Sequence, residues 1–199
     1  LFGDGSDNPG EPAAEETRNW GVVPIPIVAY APDFGGMFGM AGILFYGPDV
    51  GVPESERRGL RNNTVAVNSI ITTNGSFIGA LATTNYLAEE RFRWDNSVSG
   101  TRIPRSFFGI GPEADAEESY TALNFGGETN FNVQALPDLF VGPLYQYKYF
   151  SIEDTDAGGT LVAGELRGSD RDVVASGVGG RLIWDTTGGV FWPEEGYVF

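Results

Sequence analysis

The sequence predicts an all-β protein, an antiparallel up-and-down transmembrane β-barrel of which about eight strands are present. The first observation is a period of two, in which apolar and polar residues alternate over long runs such as 120–133. The second is composition: 29 glycines and 13% aromatic residues against only 20% charged residues suit strands with an exposed apolar face. The third is that no apolar run approaches the ~18 residues of a transmembrane helix.

Charge and residue types exclude several classes of function. Acidic residues outnumber basic ones 27 to 12, for a net charge of −15, so the chain has no basic surface to bind nucleic acid. It contains no cysteine and no histidine, which excludes disulfides, thiolate metal sites and Ser–His or Cys–His pairs. The carboxylates lack the spacing of a calcium-binding loop. We therefore expect no enzymatic activity, no cofactor and no metal.

The chain divides into a leader and one β domain. Residues 1–19 are rich in Gly, Pro, Asp and Glu without periodicity, which predicts a flexible acidic leader before a barrel domain at 20–199. Pro24 and Pro26 remove two backbone donors from the first strand, so that strand should lie at a sheet edge or seam. Asn74-Gly75 predicts a hairpin turn because both residues tolerate positive φ. The first four strands are expected at 20–30, 37–46, 63–73 and 77–87, with a polar loop at 48–61.

The second half continues this pattern. Strands are expected at 91–98, 120–133, 139–149 and 174–185, with loops at 101–117 and 154–172. No helix signal separates them, so consecutive strands should pair as antiparallel hairpins, since parallel pairs need long crossovers. Gly188, Gly189 and the run 193–196 then predict turns, and residues 197–199 begin a ninth strand.

Polar side chains alternate with apolar ones on the later strands. If the face that carries Phe125 and Phe131 meets lipid, the opposite face lines a wet lumen. The favoured interpretation of the polar face is a satisfied structural network, and the alternative is a transport pathway. The candidate lumen-facing residues are Arg91, Arg93, Asp95, Asn124, Glu128, Gln146, Lys148, Arg181 and Asp185.

Three stretches carry a family resemblance. The glycine-rich run 177–180 leads into Asp185-Thr186 and then an aromatic residue, a Pro and a Gly; the run 103–111 combines a Pro, two Phe and Gly-Ile-Gly; and the opening strand and first turn contain Pro24, Tyr30, Pro32, Gly35 and Gly39. Together they resemble the N-terminal half of the bacterial surface-antigen domain, the outer-membrane β-barrel of BamA- and TamA-type proteins. The resemblance covers most of residues 20–199.

The resemblance implies a location and an activity. We expect the bacterial outer membrane, with the lipid bilayer and other outer-membrane proteins as partners, and a role in protein assembly, as insertion into that membrane or translocation across it. The position of Asp185 implies a structural partner inside the barrel, for which Arg181 is the candidate. Because the family needs about twice the strands seen here, we expect the barrel to be incomplete at its C-terminus, with further residues or another chain completing the sheet.

Two other classes remain open on the residues alone. In a soluble β-sandwich or small β-barrel that acts as a binding module, the apolar strand faces would pack against one another. In a small closed outer-membrane barrel or porin, the first strand would instead be hydrogen-bonded to the run 174–185. The pairing of these two strands therefore distinguishes an open sheet from a closed barrel.

Overall fold

The computed structural model describes residues 20–47, 60–108, 117–153 and 172–186. The predicted leader, the ninth strand, the turns after residue 187, the Gly-Ile-Gly at 109–111 and most of the two polar loops lie outside the described residues. The described strands are β1 (Trp20–Ala31), β2 (Gly35–Tyr46), β3 (Asn63–Thr72), β4 (Phe77–Leu87), β5 (Phe92–Phe107), β6 (Glu118–Leu136), β7 (Leu139–Glu153) and β8 (Asp172–Trp184).

The eight strands form one antiparallel sheet in the order β1 to β8, each paired with its neighbours in the chain. The prediction of an all-β up-and-down arrangement is confirmed, and the single sheet is not the two-layer sandwich. Over the described residues β1 pairs only with β2 and β8 only with β7, so the sheet is not closed. In the same part of the chain, no helix is both long and apolar enough to cross a membrane.

The predicted edge position of the proline strand is confirmed. Within the described sheet β1 has a partner on one side only, with Pro24 opposite Gly42 and Pro26 opposite Met40. Hydrogen-bonded and non-hydrogen-bonded pairs alternate along an antiparallel ladder, so residues two apart point their N–H groups the same way. Both missing donors therefore face the free edge, and the ladder to β2 loses nothing.

The predicted hairpin turn at Asn74-Gly75 is also confirmed. Gly75 has a φ of 84°, in the region that glycine tolerates best. The Asn74 side-chain oxygen accepts hydrogen bonds from the Ser76 backbone N–H at 3.1 Å and hydroxyl at 2.8 Å. The turn is thus closed by its own side chains, as turn-forming Asn residues do.

The expected loop at 101–117 is wrong in its first part, because β5 continues to Phe107. β4 begins at Phe77, opposite Arg102, so the last residues of β5 pair with β6 alone. Pro104 lies there, opposite Thr121, and needs no donor toward β4. β6 and β7 likewise extend beyond the predicted 120–133 and 139–149.

The sheet is curved. The rings of Tyr86 on β4 and Phe140 on β7 lie 6.3 Å apart, although three strand spacings would separate them by about 14 Å in a flat sheet. These two residues define the inner face, and alternation and register assign every other strand residue. The inner face of β5–β8 is mainly polar, whereas the inner face of β1 and β2 carries apolar residues such as Val23, Ile25 and Ile43.

Burial is inverted relative to a globular core. Among the described residues, the buried apolar side chains are Ala122, Phe140 and Ile183, whereas seven buried residues are polar or charged. Large apolar residues are instead exposed along every strand, as with Val28 at 78% and Val178 at 87%. Since the apolar faces do not pack on each other, the described sheet gains little from an internal hydrophobic core.

Candidate functional site

The two ends of the sheet carry different residues. Trp20, Trp94 and Trp184 lie at the end where the β4–β5 and β6–β7 turns occur, which we call the tryptophan end. All three tryptophans point to the outer face and are about half exposed. The opposite end, where β4 begins, carries Arg102 and is called the Arg102 end.

Arg61 lies inside the tryptophan end, two residues before β3. Its guanidinium donates to Glu90 Oε2 at 2.9 Å, to Asp138 Oδ1 at 2.8 Å and to the Asp185 carbonyl at 2.7 Å. Its backbone N–H also donates to Glu90 Oε1. The side chain is only 8% exposed. One arginine thus binds the β4–β5 turn, the β6–β7 turn and the residue after β8.

Aromatic rings complete the environment of this cation. The Arg61 guanidinium carbon lies 5.8 Å from the ring centres of both Tyr86 and Phe140, a cation–π distance. Burial by itself lowers the pKa of Arg61, but the hydrogen bond to Asp138 and the charge of Glu90 raise it above its ordinary value. Arg61 is therefore a permanent buried cation.

Arg93 forms a second layer beneath Arg61. It bonds Asp95 at 3.0 Å and Asp185 Oδ2 at 3.2 Å and lies 5.6 Å from the Tyr86 ring centre. Asp185 therefore joins the two layers, since its carbonyl binds Arg61 and its carboxylate binds Arg93. We name this group the Arg61 cluster, which consists of Arg61, Tyr86, Glu90, Arg93, Asp95, Asp138, Phe140 and Asp185.

The expected pairing of Arg181 with Asp185 is wrong. Arg181 binds Glu128 at 3.1 Å, and Gln146 donates to the other oxygen of Glu128 at 2.5 Å. Residues four apart on a strand are separated by about 13 Å, whereas Glu128 lies on β6, two strands or about 10 Å from β8, within reach of a long arginine side chain. Asp185 is consequently within reach of Arg93, across the curved inner face, and not of Arg181.

Eight of the nine candidate residues lie on the inner face: Arg93, Asp95, Asn124, Glu128, Gln146, Lys148, Arg181 and Asp185. Arg91 instead belongs to the β4–β5 turn, where its carbonyl accepts the Gln134 N–H at 2.9 Å. The structure brings Arg93, Asp95 and Asp185 together in one group and Glu128, Gln146 and Arg181 in another. That this face lines a lumen stays a prediction.

Sequence reasoning missed the centre of the cluster. The predicted polar loop at 48–61 includes Arg61, and neither Glu90 nor Asp138 is among the candidate residues that the sequence indicates. The sequence indicates that Glu90 and Asp138 lie in short turns, but no local pattern indicates which arginine side chain reaches the inner face. The contact between Arg61 and Asp185 depends on the curvature of the sheet, and the periodicity of the sequence carries no information on curvature.

Polar side chains on the outer face satisfy one another. Tyr46 donates to Asn85 at 2.6 Å, and Asn85 and Asn96 both donate to Thr83. Thr129 in turn donates to Asn96 at 2.7 Å and accepts from the Trp94 indole at 3.1 Å. Groups bonded in this way can face an apolar medium at low cost.

Charge is absent from most of the outer face. On the described strands, the charged residues that alternation places there are Arg102, Glu153 and Asp172, and all three lie at the Arg102 end. From that level to the tryptophan end the outer face contains aromatic, aliphatic, small and uncharged polar residues. The outer face is therefore a charge-free band bordered by tryptophans on one side and charges on the other.

The chemistry of the described residues is that of a structural network. No group of three or more carboxylates among them could hold a metal ion, and the carboxylates of the Arg61 cluster already bind arginines. No protein-family model, curated protein or solved structure matches this chain.

Proposed function

We propose that this chain is part of a transmembrane β-barrel of the bacterial outer membrane, of the surface-antigen type. The observation that carries the proposal is the charge-free outer band. Such a band, bordered on one side by tryptophans and backed on β5–β8 by a mainly polar inner face, is typical of the surface of outer-membrane barrels. A soluble binding module would instead bury these apolar side chains in a core.

The height of the band supports this proposal. Eight residues separate Trp94 from Arg102, and twelve separate Asp172 from Trp184. At ~3.3 Å per residue these distances are about 26 to 40 Å along the strand. Strands in such barrels tilt by 35–45°, which gives about 20 to 30 Å across the membrane, close to the ~25 Å apolar band of outer-membrane proteins.

The open edges support the proposal that more strands complete the barrel. Over the described residues, β1 and β8 each have a ladder on one side only. In hydrocarbon each unsatisfied group costs several kcal/mol, so an open sheet does not persist there. Further strands of this protein or of a second chain would pair with both edges. The role in inserting or translocating other proteins rests on the motif resemblance.

The experiment uses two adjacent residues on opposite faces of β8. The chain has no cysteine, so Gly177→Cys and Val178→Cys each provide a unique thiol in open space. In outer-membrane vesicles, the inner-face thiol at 177 should react with a small water-soluble maleimide. The thiol at 178 should resist it and should react only with a lipid-soluble reagent.

Equal reaction of both thiols with the water-soluble reagent would overturn the membrane proposal. Recovery of the full-length protein in the soluble periplasmic fraction without detergent would do the same. A thiol at 178 protected in whole cells but exposed in detergent is the result expected for a lipid-facing position.

A further inference from the structure

Two strained turns lie at the tryptophan end. The described non-glycine residues with positive φ are Ala88 (51°), Glu89 (55°), Glu90 (66°) and Asp138 (63°). The first three form the β4–β5 turn, and Asp138 belongs to the β6–β7 turn. L-residues avoid this left-handed region because Cβ approaches the carbonyl oxygen, and such conformations persist only where the surroundings hold them.

Both turns give a carboxylate to the same arginine. Glu90 and Asp138, each in the left-handed region, both bind Arg61 through their carboxylates. Arg61 also donates to the Asp185 carbonyl, and the Asp185 N–H donates to the Asp138 carbonyl at 2.9 Å. A buried cation thus meets the two strained turns and the end of β8 at one point.

We propose that Arg61 is a latch that holds these strained turns and fixes the curvature of the sheet. β3 and β8 are five strands apart, which is about 24 Å in a flat sheet. Arg61 lies two residues before β3, and two residues span at most about 7 Å. The 2.7 Å bond to Asp185 therefore exists only while the sheet is curved, and its loss removes a restraint across the inner face.

The latch also closes one end of the inner face. Asn130, Asn132, Phe140, Ile183 and Asp185 are buried beside it, whereas Ser97 and Gln146, farther along the same face, are exposed. The inner face is filled at the tryptophan end and accessible around Ser97 and Gln146, and it is buried again at Ala122 and Glu118 toward the Arg102 end. This inference concerns the curvature of the sheet and holds whether or not the outer face meets lipid.

The test measures the distance between β3 and β8. Ala66→Cys and Gly177→Cys place spin labels on the inner face at the same level of the sheet, and the absence of native cysteine makes the pair unique. Double electron–electron resonance on the purified full chain should give one short, narrow distance distribution. Arg61→Ala should shift this distribution to longer distances and broaden it. Arg181→Ala, which removes an inner-face ion pair outside the Arg61 cluster, should leave it unchanged.

A second, milder variant keeps the test decisive if the Arg61→Ala protein does not fold. Asp138→Asn removes one partner charge while Asn tolerates the left-handed region, so it should shift the distribution less. Glu89→Gly relieves turn strain without touching an Arg61 partner, so it should partly restore the short distance when combined with Asp138→Asn. Unchanged distributions in both Arg61→Ala and Asp138→Asn would overturn the latch, as would an equal shift in Arg181→Ala.

Discussion

Two of the ion-paired arginines on the inner face, Arg61 and Arg181, have contrasting surroundings. The Arg61 side chain is 8% exposed, bonds the carboxylates of Glu90 and Asp138 and the Asp185 carbonyl, and lies beside two aromatic rings. The Arg181 side chain is 41% exposed, and its carboxylate partner, Glu128, is 31% exposed. Arg61 joins parts of the chain that are far apart in sequence, whereas Arg181 and Glu128 lie on strands already linked through β7.

This contrast shows that the role of an arginine–carboxylate ion pair depends on its burial. Removing a buried cation leaves its carboxylate partner without a countercharge in a region of low dielectric constant, which is costly. An exposed pair exchanges its partner for water and salt at little cost. The Arg61 cluster therefore determines the shape of the sheet, and the Arg181 pair mainly keeps the inner face polar.

Arg61→Ala has the largest expected effect. Removing one partner of a buried ion pair costs ~3–5 kcal/mol, and here Glu90, which is 15% exposed, loses a buried cation, whereas Asp138, which is 43% exposed, regains water. The free energy of unfolding, measured by urea titration of the protein refolded in detergent micelles, should fall by about this amount. Arg61→Lys should recover only part of it, because an ammonium group cannot reproduce the planar fork.

A cost below ~1 kcal/mol for Arg61→Ala, similar to that of an exposed pair, would contradict the distinction between the two arginines. The loss of unfolding free energy in the Arg61 and Arg181 variants should be measured at two salt concentrations. Burial screens Arg61 from salt, so its cost should change little between them.

The second prediction extends the contrast to the two faces of β6. Phe125 is on the outer face and 47% exposed, and Glu128 is on the inner face. Within the charge-free band, Phe125→Arg should cost ~2–4 kcal/mol in lipid, as lipid-facing charges do. Glu128→Gln retains hydrogen bonding to Gln146 and should be tolerated. Equal losses of stability in the two variants, in bilayers, would argue against the assignment of the faces.

The third prediction compares two glycines of the inner face. A Cβ on Gly142 would overlap the Phe131 carbonyl oxygen, so β7 must move away from β6 to admit it. A Cβ on Gly177 meets nothing within 4 Å. Gly142→Ala should therefore cost about 1 to 3 kcal/mol, as overpacking does, while Gly177→Ala should change the unfolding free energy by less than about 0.5 kcal/mol. Matching melting curves for the two variants would contradict the close approach of these strands.

Much of the sheet could be predicted because its rules are local. Alternation identified the strands, Asn74-Gly75 identified a turn, and Pro24 with Pro26 placed β1 at an edge, since each follows from backbone geometry. The end of β5 was missed because Pro104 and the glycines after it indicate a loop. That proline is tolerated only because β4 is shorter than β5, which is a property of a neighbouring strand.

The site was less predictable, because curvature determines its contacts. Polar alternation correctly placed Arg93, Asp95 and Asp185 on one face. Which arginine reaches Asp185 depends on strands β5 and β8 approaching each other across the inner face, and on Arg61 entering from a loop. A sequence pattern of period two contains neither piece of information, so Arg181 was the natural but incorrect choice.

The smallest expected effect is that of Arg181→Gln. The pair with Glu128 is partly exposed, and double-mutant measurements on exposed pairs give ~0.2–1 kcal/mol. Glu128 also keeps its hydrogen bond from Gln146, so its carboxylate is not left without a partner. The cost should therefore be at the low end of that range and should decrease as salt increases, since ~1 M salt shortens the screening length to about 3 Å. A double-mutant cycle with Glu128→Gln in urea titrations at low and high salt measures the coupling. A coupling energy as large as that of Arg61 with Glu90, and insensitive to salt, would show that Arg181 also has a structural role like that of Arg61.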